Sequence, residues 1–219
     1  MLIVALLVAL LIIFPGMVSA ATEPTTAVGW ATKGYALKEQ GYYAAAIESY
    51  DKAIALDPTN ASYLNEKGHV LDFQGNYAAA IEVYDKILAL DPTVSIVWSN
   101  KGNSLYRQGN FAAAIEAHDK TISLDPTDAN AWNGKGLALG AQGQYAAALA
   151  AFDKSIALDS TDVDSWNNKG VLLESKGDHV AAIAAYDKAI ALDPTYPIIW
   201  TNRGIALMSL GNNAAAIEA

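Results

Sequence analysis

The chain has 219 residues, 53% of them hydrophobic, with 14 Lys+Arg against 23 Asp+Glu and a formal net charge of −9. That balance excludes the basic footprint nucleic-acid binding requires and leaves an acidic, solvated surface. The absence of cysteine excludes disulfide frameworks, Cys-liganded zinc and thiol nucleophiles.

From the N-terminus, the first element is the uncharged apolar run LIVALLVALLIIF, Leu2–Phe14, which ends at the breakers Pro15 and Gly16. A run this short fits a signal-peptide h-region better than a membrane span, and Val18 and Ala20 are small residues placed around a cleavage point. Residues 1–20 are read as a signal peptide, with an uncleaved N-terminal membrane anchor as the alternative because no Lys or Arg precedes the run. Under either reading this segment engages the membrane or the secretion machinery, and the remainder is expected to be extracytoplasmic. Residues 21–26 form a lead-in containing Glu23-Pro24-Thr25.

From Ala27 onward the sequence repeats. Gly34, Gly68, Gly102, Gly136, Gly170 and Gly204 stand 34 residues apart, as do Gly41, Gly75, Gly109, Gly143, Gly177 and Gly211. Such self-similarity marks stacked supersecondary units, none of which can bury its apolar face alone. Five full units span 27–60, 61–94, 95–128, 129–162 and 163–196, and an incomplete sixth spans 197–219. With Ala27 as position 1, the residues at positions 4, 8 and 11 (Trp98, Gly102, Leu105) share one face of a first helix, and Gly at position 15 stops it. Tyr77, Ala80, Ile81, Tyr84 and Leu88 then recur at spacings of three and four, which predicts a second amphipathic helix. Asp-Pro-Thr closes the unit: Pro cannot continue a helix, and Thr is expected to cap the next one. Gly at 8 and Ala at 20 are expected to let the two helices approach. Trp at 4 and the aromatic at 24 (Tyr50, Tyr84, Phe152, Tyr186) would fill the space on either side.

Trp at 4, Gly at 8, Ala at 20, an aromatic at 24 and Pro at 32 together resemble the pattern of the tetratricopeptide repeat family over residues 27–219. Ala at 27 holds in Ala53 and Ala189 but becomes Ile87, Thr121 and Ser155 elsewhere. The resemblance implies an all-α fold, a right-handed superhelical solenoid of antiparallel helix pairs. Its concave groove would be lined by the first helices through positions 2, 5, 6, 9, 12 and 13. At the far end GNNAAAIEA stops inside a second helix with no polar cap after it. That reads as a fragment, or as an uncapped end open to self-association.

Positions that repeat serve packing, whereas those that vary are free to meet a partner. Positions 5 and 6 spell a ladder of neutral amides that includes Asn65, Asn100, Asn133, Asn167, Asn168 and Asn202. Each offers donors and an acceptor that suit the backbone of an extended peptide. Tyr35, His69, Phe73, Asn103, Tyr106 and Arg107 occupy positions 9, 12 and 13 of the first three units. Aromatics and arginine anchor interfaces, although aromatic packing between units competes with that role. Chaperone-tail-binding members of the resembled family clamp carboxylates with Lys and Arg in the groove. Positions 2, 5, 6 and 9 here carry neither, which argues against such a clamp. Lys at position 7, with Asp at 25 and 31, predicts a ladder of ion pairs between units.

His69, His118 and His179 do not converge, and no nucleophile–base, phosphate-loop or paired-carboxylate motif rises above chance. The reading is therefore not an enzyme: no catalytic residue, no cofactor and no metal. The expected function is a non-catalytic scaffold that binds a protein or peptide, as an extended segment or partner helix, in the Asn-lined groove. The alternatives are the targeting arm of a larger glycosyltransferase or peptidase, or a structural element of a cell-surface assembly.

Overall fold

The computed structural model describes residues 23–211; the apolar leader and the close of the sixth unit fall outside the described residues. The described chain contains eleven α-helices and, among the described residues, no strand. It divides into two compact parts at Asn60. In the first part α1 (Ala27–Glu39) packs on α2 (Tyr43–Leu56). The second part holds α3 (Ala61–Phe73), α4 (Tyr77–Leu90), α5 (Ser95–Arg107), α6 (Phe111–Leu124), α7 (Ala129–Ala141), α8 (Tyr145–Leu158), α9 (Val163–Ser175), α10 (His179–Leu192) and α11 (Pro197–Ser209). There each helix packs on its sequence neighbour, and the first helices of successive units also touch, α5 on α7, α7 on α9 and α9 on α11. The fold is the all-α solenoid of helix pairs that the 34-residue period predicts.

Turn chemistry explains the punctuation. Gly109 follows α5 with φ +87°, a left-handed conformation that only glycine adopts without penalty. There its N–H bonds the Tyr106 carbonyl and the Asn110 N–H reaches back to Leu105, both at 2.9 Å, closing the helix end. Asn110 then caps α6 by accepting from the Ala113 N–H at 3.4 Å. The Asp-Pro-Thr turns work differently from the expectation. Thr93, Thr127, Thr161 and Thr195 do not cap the following helix. Each donates its hydroxyl and N–H back to the Asp two residues earlier, the hydroxyl at 2.6–2.7 Å. A carboxylate that close outcompetes a helix end one residue further on. Capping passes to the next residue in two turns, where Asp128 accepts from the Ala131 N–H at 3.0 Å and Asp162 from the Ser165 N–H at 3.2 Å, while Val94 and Tyr196 make no side-chain cap bond.

The core is a column of position-20 alanines and position-24 rings. Ala80, Ala114, Ala148 and Ala182 are fully buried, as are Tyr84, His118, Phe152 and Tyr186. Each ring lies directly on the position-8 glycine of its own unit rather than beside it. A β-carbon on Gly170 would stand 2.5 Å from Tyr186 Cε1. Trp30 is buried, whereas Trp98, Trp132, Trp166 and Trp200 are only half-buried and lie outside the deep core. Their indole N–H groups tie each unit to the turn behind it: Trp98 donates to the Pro92 carbonyl at 2.9 Å, Trp166 to Ser160 at 3.1 Å and Trp200 to Pro194 at 3.0 Å.

The expected ion-pair ladder also runs between units, through position 25. Lys101 meets Asp85 at 2.5 Å, while Lys135–Asp119, Lys169–Asp153 and Arg203–Asp187 each close to 2.6 Å. Each Lys stem crosses its own unit's Trp, with the Lys135 ammonium 5.4 Å from the Trp132 ring centroid. Asp91, Asp125, Asp159 and Asp193 at position 31 take no part, each being held by its Thr. Because Asp119 is half exposed, solvent screens the pair. Lys135→Met is expected to cost roughly 0–1 kcal/mol at low ionic strength, and less in high salt. Urea melts at two salt concentrations measure this, and an unchanged midpoint at low salt would remove the ladder's energetic role.

Candidate protein-interaction face

In the second compact part, the first helices α3, α5, α7, α9 and α11 carry the variable residues. Their amides are joined in pairs from unit to unit. The Asn100 Nδ2 donates to Asn65 Oδ1 at 3.2 Å, Asn168 Nδ2 to Asn133 Oδ1 at 3.1 Å, and Asn202 Nδ2 to Asn167 Oδ1 at 3.0 Å. Position 6 of one unit thus donates to position 5 of the unit before it. The bond occupies one N–H of each donor and one acceptor site of each partner. Among the described residues the NH2 groups of Asn65, Asn133 and Asn167 make no hydrogen bond, so two donors per rung remain available on a half-buried face.

The rail is interrupted once. Between the third and fourth units the corresponding residues are Ser99 and Gly134, and here His118 replaces the usual phenol or phenyl ring. A β-carbon on Gly134 would lie 2.5 Å from His118 Cε1 and Nε2, and one on Gly102 would lie 2.8 Å away. The imidazole is therefore clasped between α5 and α7 in space that an asparagine side chain would otherwise need. Neither ring nitrogen has a hydrogen-bond partner. Burial holds the His118 pKa down at about 4, against the opposing pull of Asp119, so the ring is neutral.

Of the aromatic and basic candidates, the fold gathers His69, Phe73, Asn103 and Arg107 around a cavity of about 320 Å3 between α3 and α5. Asp72, Tyr77, Asn100 and Ser104 complete its wall. Asp72 was not singled out from sequence, yet it organises the wall by accepting from Tyr84 Oη at 2.8 Å and Ser104 Oγ at 2.6 Å. Burial first, and then Asp72, drive the Tyr84 pKa far above the phenol range. His69 Nε2 lies 2.9 Å from Asn100 Nδ2, so the cavity is continuous with the amide rail. Tyr106 is not part of it: its ring packs on Phe111 at 5.6 Å, the packing role that competed with an anchor role in the sequence. Tyr35 belongs to the first compact part, where the Lys38 ammonium sits 4.5 Å over its ring.

Two units further on, the equivalent hollow between α7 and α9, about 200 Å3, is lined by Leu137, Gly140, Tyr145, Val171 and Leu172 beside Asn168. Sequence reasoning passed over these aliphatic residues because each looked like ordinary helix packing. The signal was available at position 9, which reads His69, Asn103, Leu137, Val171 and Ile205 along the face.

Two tetratricopeptide repeat models match the sequence, one over residues 32–95, 99–163 and 135–197 and the other over 185–218. No curated protein matches it. Among solved structures, the chain is similar to MamA, with 25% identity over 77% of this chain and 92% of that one and a TM-score of 0.66. It is also similar to YrrB, described as a repeat protein with an unusual peptide-binding site, at 23% identity, 79% and 89% coverage and a TM-score of 0.61. PilW, a type IV pilus biogenesis factor, aligns at 20% identity over 88% of this chain and 89% of its own, with a TM-score of 0.80. The two matches of lower identity speak to the fold alone.

Proposed function

The chain belongs to the tetratricopeptide repeat family, and from that premise we propose that it is a non-catalytic scaffold whose Asn-lined first-helix face holds an extended segment of a protein partner. The observation that carries this reading is the half-used amide rail. Each rung is fixed by its bond to the next unit, so its remaining donors are held in place before a ligand arrives. Preorganised donors cost little ordering entropy on binding. Their regular recurrence matches a peptide backbone, which presents carbonyls irrespective of side chain. The apolar run Leu2–Phe14 supports a location outside the cytoplasm for the array in this reading. Fractionation of a C-terminally tagged chain tests that placement, and recovery with cytoplasmic markers overturns it.

The rail suggests variants that separate binding from folding. Asn133→Asp and Asn167→Asp keep the acceptors that Asn168 and Asn202 need but delete the free amide donors. The double variant is expected to retain its helical spectrum and melting midpoint. A photocrosslinker at Asn103 should give discrete protein adducts in cells with the native chain, and at least about tenfold fewer with the double variant, a loss of roughly 1.4 kcal/mol or more. Equal adducts from a crosslinker at Glu116 on α6, or undiminished adducts with the double variant, would refute the assignment of the face.

A further inference from the structure

Resting on that reading, we propose that the first-helix face of residues 61–211 is specific for a segment of split composition, with an acidic side chain seated at Arg107 and aliphatic side chains over Leu137, Val171 and Ile205. The face changes chemistry along its length. On α3 and α5 it presents His69, Asn103 and Arg107; from α7 to α11 position 9 is Leu137, Val171 and Ile205, with Met208 alongside. Val171, Ile205 and Met208 are 42%, 46% and 54% exposed. The small residues Gly140 and Ala141 stand where α3 carries Asp72 and Phe73, which opens the hollow beside Leu137 and Val171. Aliphatic side chains held in water along one line are an interaction surface rather than a core.

The charges are sorted in a complementary way. The carboxylates of this face are already engaged: Asp72 by Tyr84 and Ser104, and Glu174 by His179 Nδ1 at 2.8 Å and Ser209 Oγ at 3.1 Å. Glu66 is engaged as well, and Asp164 sits in the first turn of α9, where the helix dipole favours it. Arg107, exposed at the cavity mouth, makes no ion pair among the described residues. Among the described first-helix residues, Arg107 is thus a cation paired with no carboxylate, although the Asp72 carboxylate, bonded to hydroxyls, lines the same cavity. A planar guanidinium in that position recognises a carboxylate through two parallel N–H bonds. From α5 to α11 there are three first-helix steps of roughly 10 Å, a span that about nine residues of extended chain would cover.

Panning a library of random peptides of about twelve residues, enough for that span, against the native protein tests the idea. The expected winners carry Asp or Glu toward one end and Leu, Ile or Val toward the other. Arg107→Glu should replace the acidic preference with Lys or Arg and leave the aliphatic end unchanged. Val171→Lys should do the converse. A winning peptide should lose about tenfold or more in affinity when its acidic residue becomes Lys, and recover on the Arg107→Glu protein. That peptide-side swap needs no folded variant. Winners whose composition ignores both substitutions, or in which the two features are not separated, overturn the split composition while leaving a peptide-binding face intact. A failure of the native protein to enrich any peptide overturns both.

Discussion

His118→Phe is expected to stabilise the protein at neutral pH and to remove most of its sensitivity to mild acid. The imidazole is fully buried with both nitrogens unpaired, and each buried polar group left without a partner costs on the order of 1–3 kcal/mol. A phenyl ring deletes that cost. Its extra bulk points toward Gly134, which has no side chain to meet it, and Phe152 already lies on Gly136 in the same way one unit on. A gain of about 1–3 kcal/mol at pH 7 follows. The acid dependence has a definite sign. The unfolded chain takes up a proton on this residue near pH 6.5, whereas the folded chain resists until about pH 4. Between those values the unfolded state holds more protons, so native stability falls as pH falls, by about 3 kcal/mol in total. The carboxylates of Asp91, Asp125, Asp159 and Asp193 are held below their ordinary range chiefly by the Thr hydroxyls. Their stabilisation is lost only at lower pH, so the two windows separate. Urea melts from pH 7 to pH 4 should show the native and His118→Phe curves diverging steadily. Parallel curves would mean that the ring is not buried in its neutral form.

His118 also marks what the sequence could and could not tell. Two departures from the repeat were visible: a histidine at position 24 and a glycine at position 6 of the next unit. Nothing in the chain says that they are one event, because the register between α5, α6 and α7 is set by packing across units. In space the ring occupies the room that the missing asparagine side chain vacates. The amide ladder shows the same limit. Residue type and spacing exposed Asn65 through Asn202 as a row, but not that position 6 donates to position 5 of its neighbour. That bond joins residues 35 apart, and it converts half of an expected binding capacity into scaffold. By contrast the helix pairs, the stops at Gly109 and its equivalents, and the Lys–Asp ladder follow from local chemistry repeated five times, and they are where the period puts them. The tryptophans fall between these cases. Their size suggests core, which holds for Trp30, but the indole N–H of Trp98, Trp132, Trp166 and Trp200 must be paired, which draws the edge to the turn carbonyl behind it and leaves the ring half-buried.

The largest loss should come from Gly170→Ala, the smallest possible enlargement at the point where α9 meets α10. Alanine favours a helix over glycine by about 1 kcal/mol, so on helix propensity alone the change would stabilise. Packing reverses the sign. The new methyl would lie 2.5, 2.7 and 2.9 Å from Cε1, Cδ1 and Cζ of Tyr186, whose ring is fully buried and cannot swing aside without leaving the core. Either the ring adopts a strained rotamer or α9 and α10 separate, at a net cost of about 1–3 kcal/mol even after the propensity gain. The magnitude should track distance. Gly136→Ala, with Phe152 at 2.7 Å, should be comparably damaging, whereas Gly34→Ala, with the Tyr50 ring no nearer than 3.1 Å, should be milder. Gly177→Ala meets no atom within 4 Å but sits at φ +80°, so its loss should be backbone strain alone, about 1 kcal/mol. Shortening the ring in the double variant Gly170→Ala/Tyr186→Leu removes the clash, so the two losses should sum to more than the double variant shows. A Gly170→Ala protein at least as stable as the native one would mean that the ring does not rest on the glycine. The packing of every unit would then need another explanation.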